Sequence, residues 1–218
     1  MKPINGTEIW RGPSRINGAP IVAIATWNTA NPKTGNMVQV WILPQEEEPH
    51  QAVKSGADAS VCGDCPLRPL APGNGPKCYV STFQAPLAVH RKWARGGYPI
   101  GAPLPEGVPV RLGTYGEPSA LPVAVLRRLT RTVRHTGYTH QWGRFPSLRP
   151  LVMASVESLE GAREAWAKGW RTFRVVAHPT DVSPSEILCP ATTHGTTCAD
   201  CGLCNGAGSA RSIAIVAH

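Results

Sequence analysis

Seven cysteines fall into two groups: Cys62, Cys65 and Cys78, then Cys189, Cys198, Cys201 and Cys204. The count is odd. The N-terminus, Met1-Lys2-Pro3-Ile4-Asn5-Gly6, lacks the apolar run of a secretory leader. Both facts argue against a disulfide framework and for thiolates that bind metal. The second group has the spacing C-x8-C-x2-C-x2-C, with Pro190 directly after its first cysteine. Structural zinc takes two separate C-x2-C knuckles, because a tetrahedral ion draws ligands from two converging loops. A C-x2-C-x2-C run with a remote Cys-Pro is the pattern of cubane iron–sulfur clusters. Three cysteines at that spacing reach three different irons, and the remote one takes the fourth. Gly202, Gly206 and Gly208 let backbone amides approach the sulfurs. A closed [4Fe-4S] cluster is expected here, with zinc as the alternative metal. Its role is structural, tying the last strand to the sheet, or electron transfer.

The first group reads C-x2-C-x12-C, with no fourth cysteine nearby. Two arrangements satisfy it. A histidine completes the site, with His90 and His50 the nearest candidates in sequence, or a cubane keeps three protein ligands and one open iron. An open position is what a catalytic metal site needs. The spacing alone does not choose between them.

Gly116-Glu117-Pro118-Ser119-Ala120-Leu121 stands where a strand becomes a helix. In an α/β sheet that turn lies at the carboxyl end of the strand, where ligands bind. Its amides and the Glu117 carboxylate suit the ammonium of an amino-acid end. The plain alternative is a turn with proline at the first helical position.

A three-cysteine loop followed by G-E-P-x-x-L at a strand end resembles the radical S-adenosylmethionine superfamily. That resemblance implies a partial or full α/β barrel and a [4Fe-4S] cluster on Cys62, Cys65 and Cys78. It further implies an open iron that binds the cofactor's methionine end, with Gly116, Glu117 and Pro118 touching the cofactor. The reduced cluster would then generate a radical that abstracts hydrogen from a substrate, with a reductant protein supplying electrons. An extra four-cysteine cluster near the C-terminus, here Cys189, Cys198, Cys201 and Cys204, also fits. Two departures stand out: twelve residues separate Cys65 from Cys78 where the usual C-x3-C-x2-C loop has two, and Tyr115 occupies the first glycine position of the usual G-G-E-P. The chain also resembles a family of uncharacterised phage and prophage proteins. That likeness rests on the N-x-K-T-G turn (Asn31, Lys33, Thr34, Gly35), C-x2-C-P-L, C-Y, P-L-A-x-H (Pro86 to His90) and T-H (Thr139, His140). It continues through T-C-x-x-C-G-L-C to the final A-H (Ala217, His218). It implies origin and fold, with no activity attached.

His140, Glu157, His178 and His218 fall at strand ends and are candidates to line one pocket with Glu117. Each has packing or capping as its plain alternative. Trp27 and Trp142 suit core packing or stacking of a base. Arg127, Arg131 and Arg134 share a helix face, solvated or in contact with phosphate.

The elements that position these residues follow from composition and pattern. Glycine and proline number 22 each in 218 residues, well above ordinary usage, so long loops and many turns are expected. The apolar fraction of 42% excludes a wholly disordered chain. Apolar runs at 21–27 and 37–43, separated by the Asn31–Asn36 turn, predict an N-terminal β-hairpin. Strands are expected at 108–112, 138–142, 151–156, 172–177 and 212–217, and helices at 86–95, 121–136 and 158–168. Ser158 caps the last of these, and Gly169 ends it. This alternation gives an α/β fold: a partial, open α/β barrel or a short, mainly parallel sheet with long Gly/Pro-rich loops. A single domain over 1–218 is expected. It comprises a hairpin region at 1–60, the first cysteine loop at 61–80 and an α/β core at 108–218 holding the second cysteine loop at 189–204. A net charge of +8 names nucleic acid as a candidate partner, with simple solubility as the alternative. No apolar run reaches membrane-spanning length. The expected location is a cytoplasm, that of the host if a phage encodes the chain.

Overall fold

A computed structural model describes residues 4–28, 31–70, 78–208 and 210–217. Three strands come first, β1 (Gly6–Pro13), β2 (Pro20–Thr26) and β3 (Val38–Pro44). β2 and β3 form the expected hairpin, pairing antiparallel from Ile21 opposite Pro44 to Thr26 opposite Gln39. β1 adds to β2 antiparallel, with a bulge between Glu8 and Trp10. That bulge breaks the two-residue alternation that marks a half-buried strand, which is why the pattern gives no sign of β1. Every residue of β3, and all of β2 after Pro20, is buried. Both strands are covered on both faces, the condition under which a strand reads as an unbroken apolar run.

Two short helices, α1 (Pro49–Ser55) and α2 (Ala59–Cys62), carry the chain into the first cysteine loop, and α3 (Ala85–Ala94) brings it back. Next come β4 (Val110–Tyr115), α4 (Val123–Thr130), β5 (His135–Thr136) and β6 (Tyr138–Thr139). The chain closes with β7 (Met153–Val156), α5 (Leu159–Ala167), β8 (Thr172–Val176), β9 (Glu186–Leu188), α6 (Pro190–Thr193), α7 (Cys198–Cys201) and β10 (Ser212–Val216). The strand orders are β1-β2-β3-β4-β5 and β6-β7-β8-β10-β9. From β3 onward every pairing is parallel. Only Gly137 separates β5 from β6, so one stretch of chain edges both sheets. The passage is tight there: a Cβ on Gly137 would lie 3.0 Å from Leu112 Cβ and 3.0 Å from Val152 Cγ1. The molecule is thus a mixed α/β fold whose sheets are mostly parallel beyond an N-terminal antiparallel hairpin.

One helix is shorter than its sequence predicts. α4 ends at Thr130 rather than Thr136, and His135–Thr136 become β5. The Val110 amide donates to the Arg134 carbonyl (2.9 Å), and Val110 and Arg111 pair with His135 and Thr136. β4 needs a parallel neighbour, and that tertiary demand outweighs a weak helical preference over Arg131-Thr132-Val133-Arg134. In α5 the local signal holds: the Ser158 hydroxyl accepts from the Gly161 amide at 3.0 Å.

The main core joins β2, β3, β4, α4, β7 and α5. A smaller apolar cluster centres on Met153, Cys189 and Ile213, with Tyr138, Phe173, Leu203 and Cys204 around it. The bidentate pair of Arg174 with Glu186 (2.6 and 2.9 Å) ties β9 to the β8 side of the sheet. Among the described residues no helix is long and apolar enough to cross a membrane.

Candidate metal centres

The first cysteine loop is shaped by one buried ion pair. Arg68 donates to both oxygens of Asp58 (2.9 and 2.6 Å) and to the Gly63 carbonyl (2.6 Å). Asp58 is buried, and its partner fixes the turn that presents Cys62 and Cys65. Gly63, at φ +61°, passes so close to Gln141 that a Cβ would meet its Nε2 at 2.6 Å. Gln141 in turn donates to Asp64. Cys62, Cys65 and Cys78 together line a cavity of about 320 Å³ that also touches Tyr115, Arg68 and Phe83. Cys78 is exposed, while Cys62 and Cys65 are half-buried. Burial pushes the Cys62 thiol well above its usual range, and Asp58, Glu117, Cys65 and Cys78 add to the rise. Bare thiolates are therefore disfavoured here, and a cation is what would stabilise them.

Glu117 stands two residues past β4, buried beside the cysteine loop and outside the lining of that cavity. Gly116, at φ +81°, lies so near β3 that a Cβ would meet the Ile42 carbonyl at 2.6 Å. Glycine is required there. The Glu117 amide donates to the Val61 carbonyl (2.6 Å), which locks the strand end to α2. The Glu117 carboxylate accepts from the Thr139 hydroxyl and from the His140 amide (3.1 Å), and pairs with His140 Nδ1 (3.0 Å). His140 Nε2 pairs with Glu157 at 2.8 Å. Ligand atoms of Cys65, Glu117 and His140 all lie within 4.8 Å of one another. Burial alone would lower the His140 pKa. Hydrogen bonds with Cys65, Glu117 and Glu157 outweigh it and push the value up to about 12. His140 is an imidazolium held between two carboxylates. The strand ends of β4, β6 and β7 bring these groups together, as expected for Glu117, His140 and Glu157.

The second loop is a closed structure. Cys189, Cys198, Cys201 and Cys204 line one narrow cavity of about 20 Å³, with Thr136, Leu203 and Ile213 beside them. The Cys198 and Ala199 amides donate to the Lys33 and Thr34 carbonyls (both 3.0 Å), so the turn between β2 and β3 carries α7. Gly137 donates to the Cys204 carbonyl (2.7 Å). Arg171, itself buried, donates to the carbonyls of Asn205, Ala207, Ala210 and Arg211 at 2.6–3.3 Å. One guanidinium therefore pins the loop that follows Cys204. Burial pushes Cys204 up to about 12, with the other three thiols adding to the rise. Arg111 offsets this at Cys198 and Cys204. It donates to the Tyr138 hydroxyl (2.8 Å), and Tyr138 stacks on Phe173 at 4.4 Å. Among the described residues no carboxylate pairs with Arg111, so its charge faces the thiols.

Other candidates sit elsewhere. His90 does not line the cysteine cavity. It is buried edge-on to Trp93 at 5.5 Å, and burial lowers its pKa against the smaller opposing effect of the Gln45 and Pro44 backbone. His50 lies 3.7 Å from Glu48. The histidine beside Cys65 is His140. His178 closes a turn through its amide to Asp181 (2.9 Å). His218 falls outside the described residues. Trp27 donates to the Ile4 carbonyl, and Trp142 lies under Lys168. Arg134 lies beyond α4 and donates to the Asp200 carbonyl (2.9 Å), on the second cysteine loop. Arg68, Arg111 and Arg171 carry no sequence signal, because an isolated arginine reads as surface charge until a buried partner is seen. No family model, curated protein or solved structure matches this chain.

Proposed function

We propose that the chain is a radical S-adenosylmethionine-like enzyme with two [4Fe-4S] clusters. One, open at an iron, sits on Cys62, Cys65 and Cys78, and one, closed, sits on Cys189, Cys198, Cys201 and Cys204. The observation that carries this reading is the position of Glu117: at the carboxyl end of β4, bonded to α2, and within 4.8 Å of Cys65. The cysteine loop lies between β3 and β4, the first two parallel neighbours, and G-E-P follows at the end of the second. This is the arrangement that the motif resemblance implies.

The donor sets fit such clusters. All seven cysteines are free, and each group converges on one cavity. Among the described residues no three cysteine sulfurs lie within 4.8 Å of one another. Zinc, about 2.3 Å from each sulfur, would draw them to roughly 3.8 Å apart. The void of about 20 Å³ in the second site is that of one water-sized body. The reading rests on the spacing of the sulfurs rather than on that void.

When bound, an open-iron cluster supplies a low-potential electron to a sulfonium cofactor. Glu117 offers its carboxylate to the cofactor's ammonium, in competition with the His140 ring. His140, paired to Glu157, keeps that corner of the site charged and ordered. Tyr79 and Phe83, both exposed at the cavity wall, give it an aromatic face suited to an adenine. A reductant protein and a cytoplasmic setting complete the proposal.

The test is anaerobic purification. The protein should be brown and carry about eight irons with matching sulfide, and S-adenosylmethionine should alter the reduced spectrum in electron paramagnetic resonance. A colourless protein with zinc and no sulfide overturns the reading. If no cofactor effect is seen and DNA or RNA binds with an affinity that falls steeply with salt, the +8 charge serves a nucleic-acid-binding module instead.

A further inference from the structure

Among the described residues, each cysteine cavity has a buried hydroxyl with no partner. Tyr115, 4% exposed, lines the first cavity, and its phenol oxygen makes no hydrogen bond. Thr136, 3% exposed, lines the second, and its hydroxyl is likewise unpartnered. Buried hydroxyls nearly always find an acceptor, so two orphans at the walls of the two thiol cavities call for one. Ser81 is a third orphan at the first cavity, but the residue itself is only half-buried.

The groups around each hydroxyl narrow the acceptor. Cys62, Cys65 and Cys78 line the cavity with Tyr115, and the carboxylate there, Asp58, is already taken by both arms of Arg68. Sulfur is what remains. Around Thr136 the cavity wall is four cysteines, Leu203, Ile213 and other groups with no competing carboxylate. Both residues are placed by the sheet: Tyr115 ends β4, and Thr136 stands opposite Arg111 in the β4–β5 pairing. Neither hydroxyl can drift with a loop.

We propose that Tyr115 and Thr136 each donate a hydrogen bond to a sulfur of the cluster in their own cavity, and so raise its reduction potential. The proposal rests on the two-cluster reading. Hydrogen bonds to cluster sulfurs stabilise the reduced, more negative state, a recognised control on potential. Tyr115 stands where the resembled motif carries glycine, so the effect at the first cluster would be particular to this chain. Both are positioning residues that act on the metal and touch no substrate.

The experiment is a redox titration of anaerobically reconstituted full-length protein, followed by electron paramagnetic resonance. Tyr115→Phe should leave the iron count unchanged and lower the first cluster's midpoint. The reduced-to-oxidised ratio at a fixed potential should fall about tenfold, a shift of about 59 mV for one electron. Thr136→Val should do the same to the second cluster alone. Unchanged midpoints in both variants, with clusters intact, overturn the hydroxyl proposal and leave the two-cluster reading standing. Wild-type protein that takes up no iron and sulfide overturns both. If Tyr115→Phe fails to fold, 3-fluorotyrosine at position 115 keeps the shape and makes the phenol a stronger donor. It should raise the first midpoint, and no shift overturns the proposal there.

Discussion

The two cysteine sites are built alike and exposed differently. Each is pinned by one arginine, Arg68 for the first loop and Arg171 for the second. Each has a buried hydroxyl in its wall. The first, however, opens onto a cavity of about 320 Å³ with Cys78 at the surface, whereas the second is a narrow space of about 20 Å³ inside its own apolar cluster. The second is stitched to β3's leading turn, to β5–β6 and to β10, so its ligands are part of the fold. The first hangs on α2 and a loop, beside the Asp58–Arg68 and Glu117–His140 pairs. On the proposed reading, loss of the second site should unfold the molecule and loss of the first should leave it folded.

Removing ligands is the strongest way to break that comparison. Cys201→Ser should lose the second cluster and collapse thermal stability, because metal binding at such a site is folding free energy, on the order of 10 kcal/mol. Cys62→Ser should leave a folded protein with half the iron. Calorimetry and iron counts on the two variants decide it, and equal losses of stability would erase the distinction.

The arginine clamps sharpen it. Arg171→Met leaves four loop carbonyls without their donor and should lower stability by about 3–5 kcal/mol, since a buried acceptor left unpaired costs about 1–3 kcal/mol. Arg68→Met strands the Asp58 carboxylate and should lie in the same range. Only the first change should release the second cluster, and only the second change the first cluster; chelator-challenge rates for each cluster report this.

Glu117→Ala tests the open site alone. S-adenosylmethionine affinity, read from the spectral change, should fall roughly ten- to a hundredfold, as for loss of a hydrogen bond to a charged group. The second cluster's spectrum should not move.

The smallest effect concerns pH. His90 and His135 both have pKa values lowered, chiefly by burial. Each is neutral when folded and takes up a proton on unfolding below about 6.5. Their contribution is full above that value and is lost as pH falls through the depressed folded values. Denaturant midpoints should therefore decline below about pH 6.5. His90→Gln should flatten part of the decline without altering iron content.

Much of this was legible before any coordinates. The alternation of strands and helices from residue 108 onward appears in the sequence because buried parallel strands are unbroken apolar runs and α5 carries its own cap at Ser158. The end of α4 was not legible, because the switch to β5 is made by pairing with Val110, which no local preference announces. β1 was hidden by its bulge.

The grouping of the thiols is local to the sequence. C-x2-C-x2-C and C-x2-C are local spacings, and a loop of that length holds its thiols together wherever it is placed. The sequence by itself also determined that Gly116-Glu117-Pro118 ends a strand. Only the tertiary structure decided that Glu117 meets Cys65 and His140, and that Tyr115 and Thr136 face the two sets of thiols. Those meetings depend on the parallel register of β4, β6 and β7 and on the Glu117–Val61 bond to α2. They join residues far apart in the chain, and packing between strands, which no spacing encodes, is what brings them within reach.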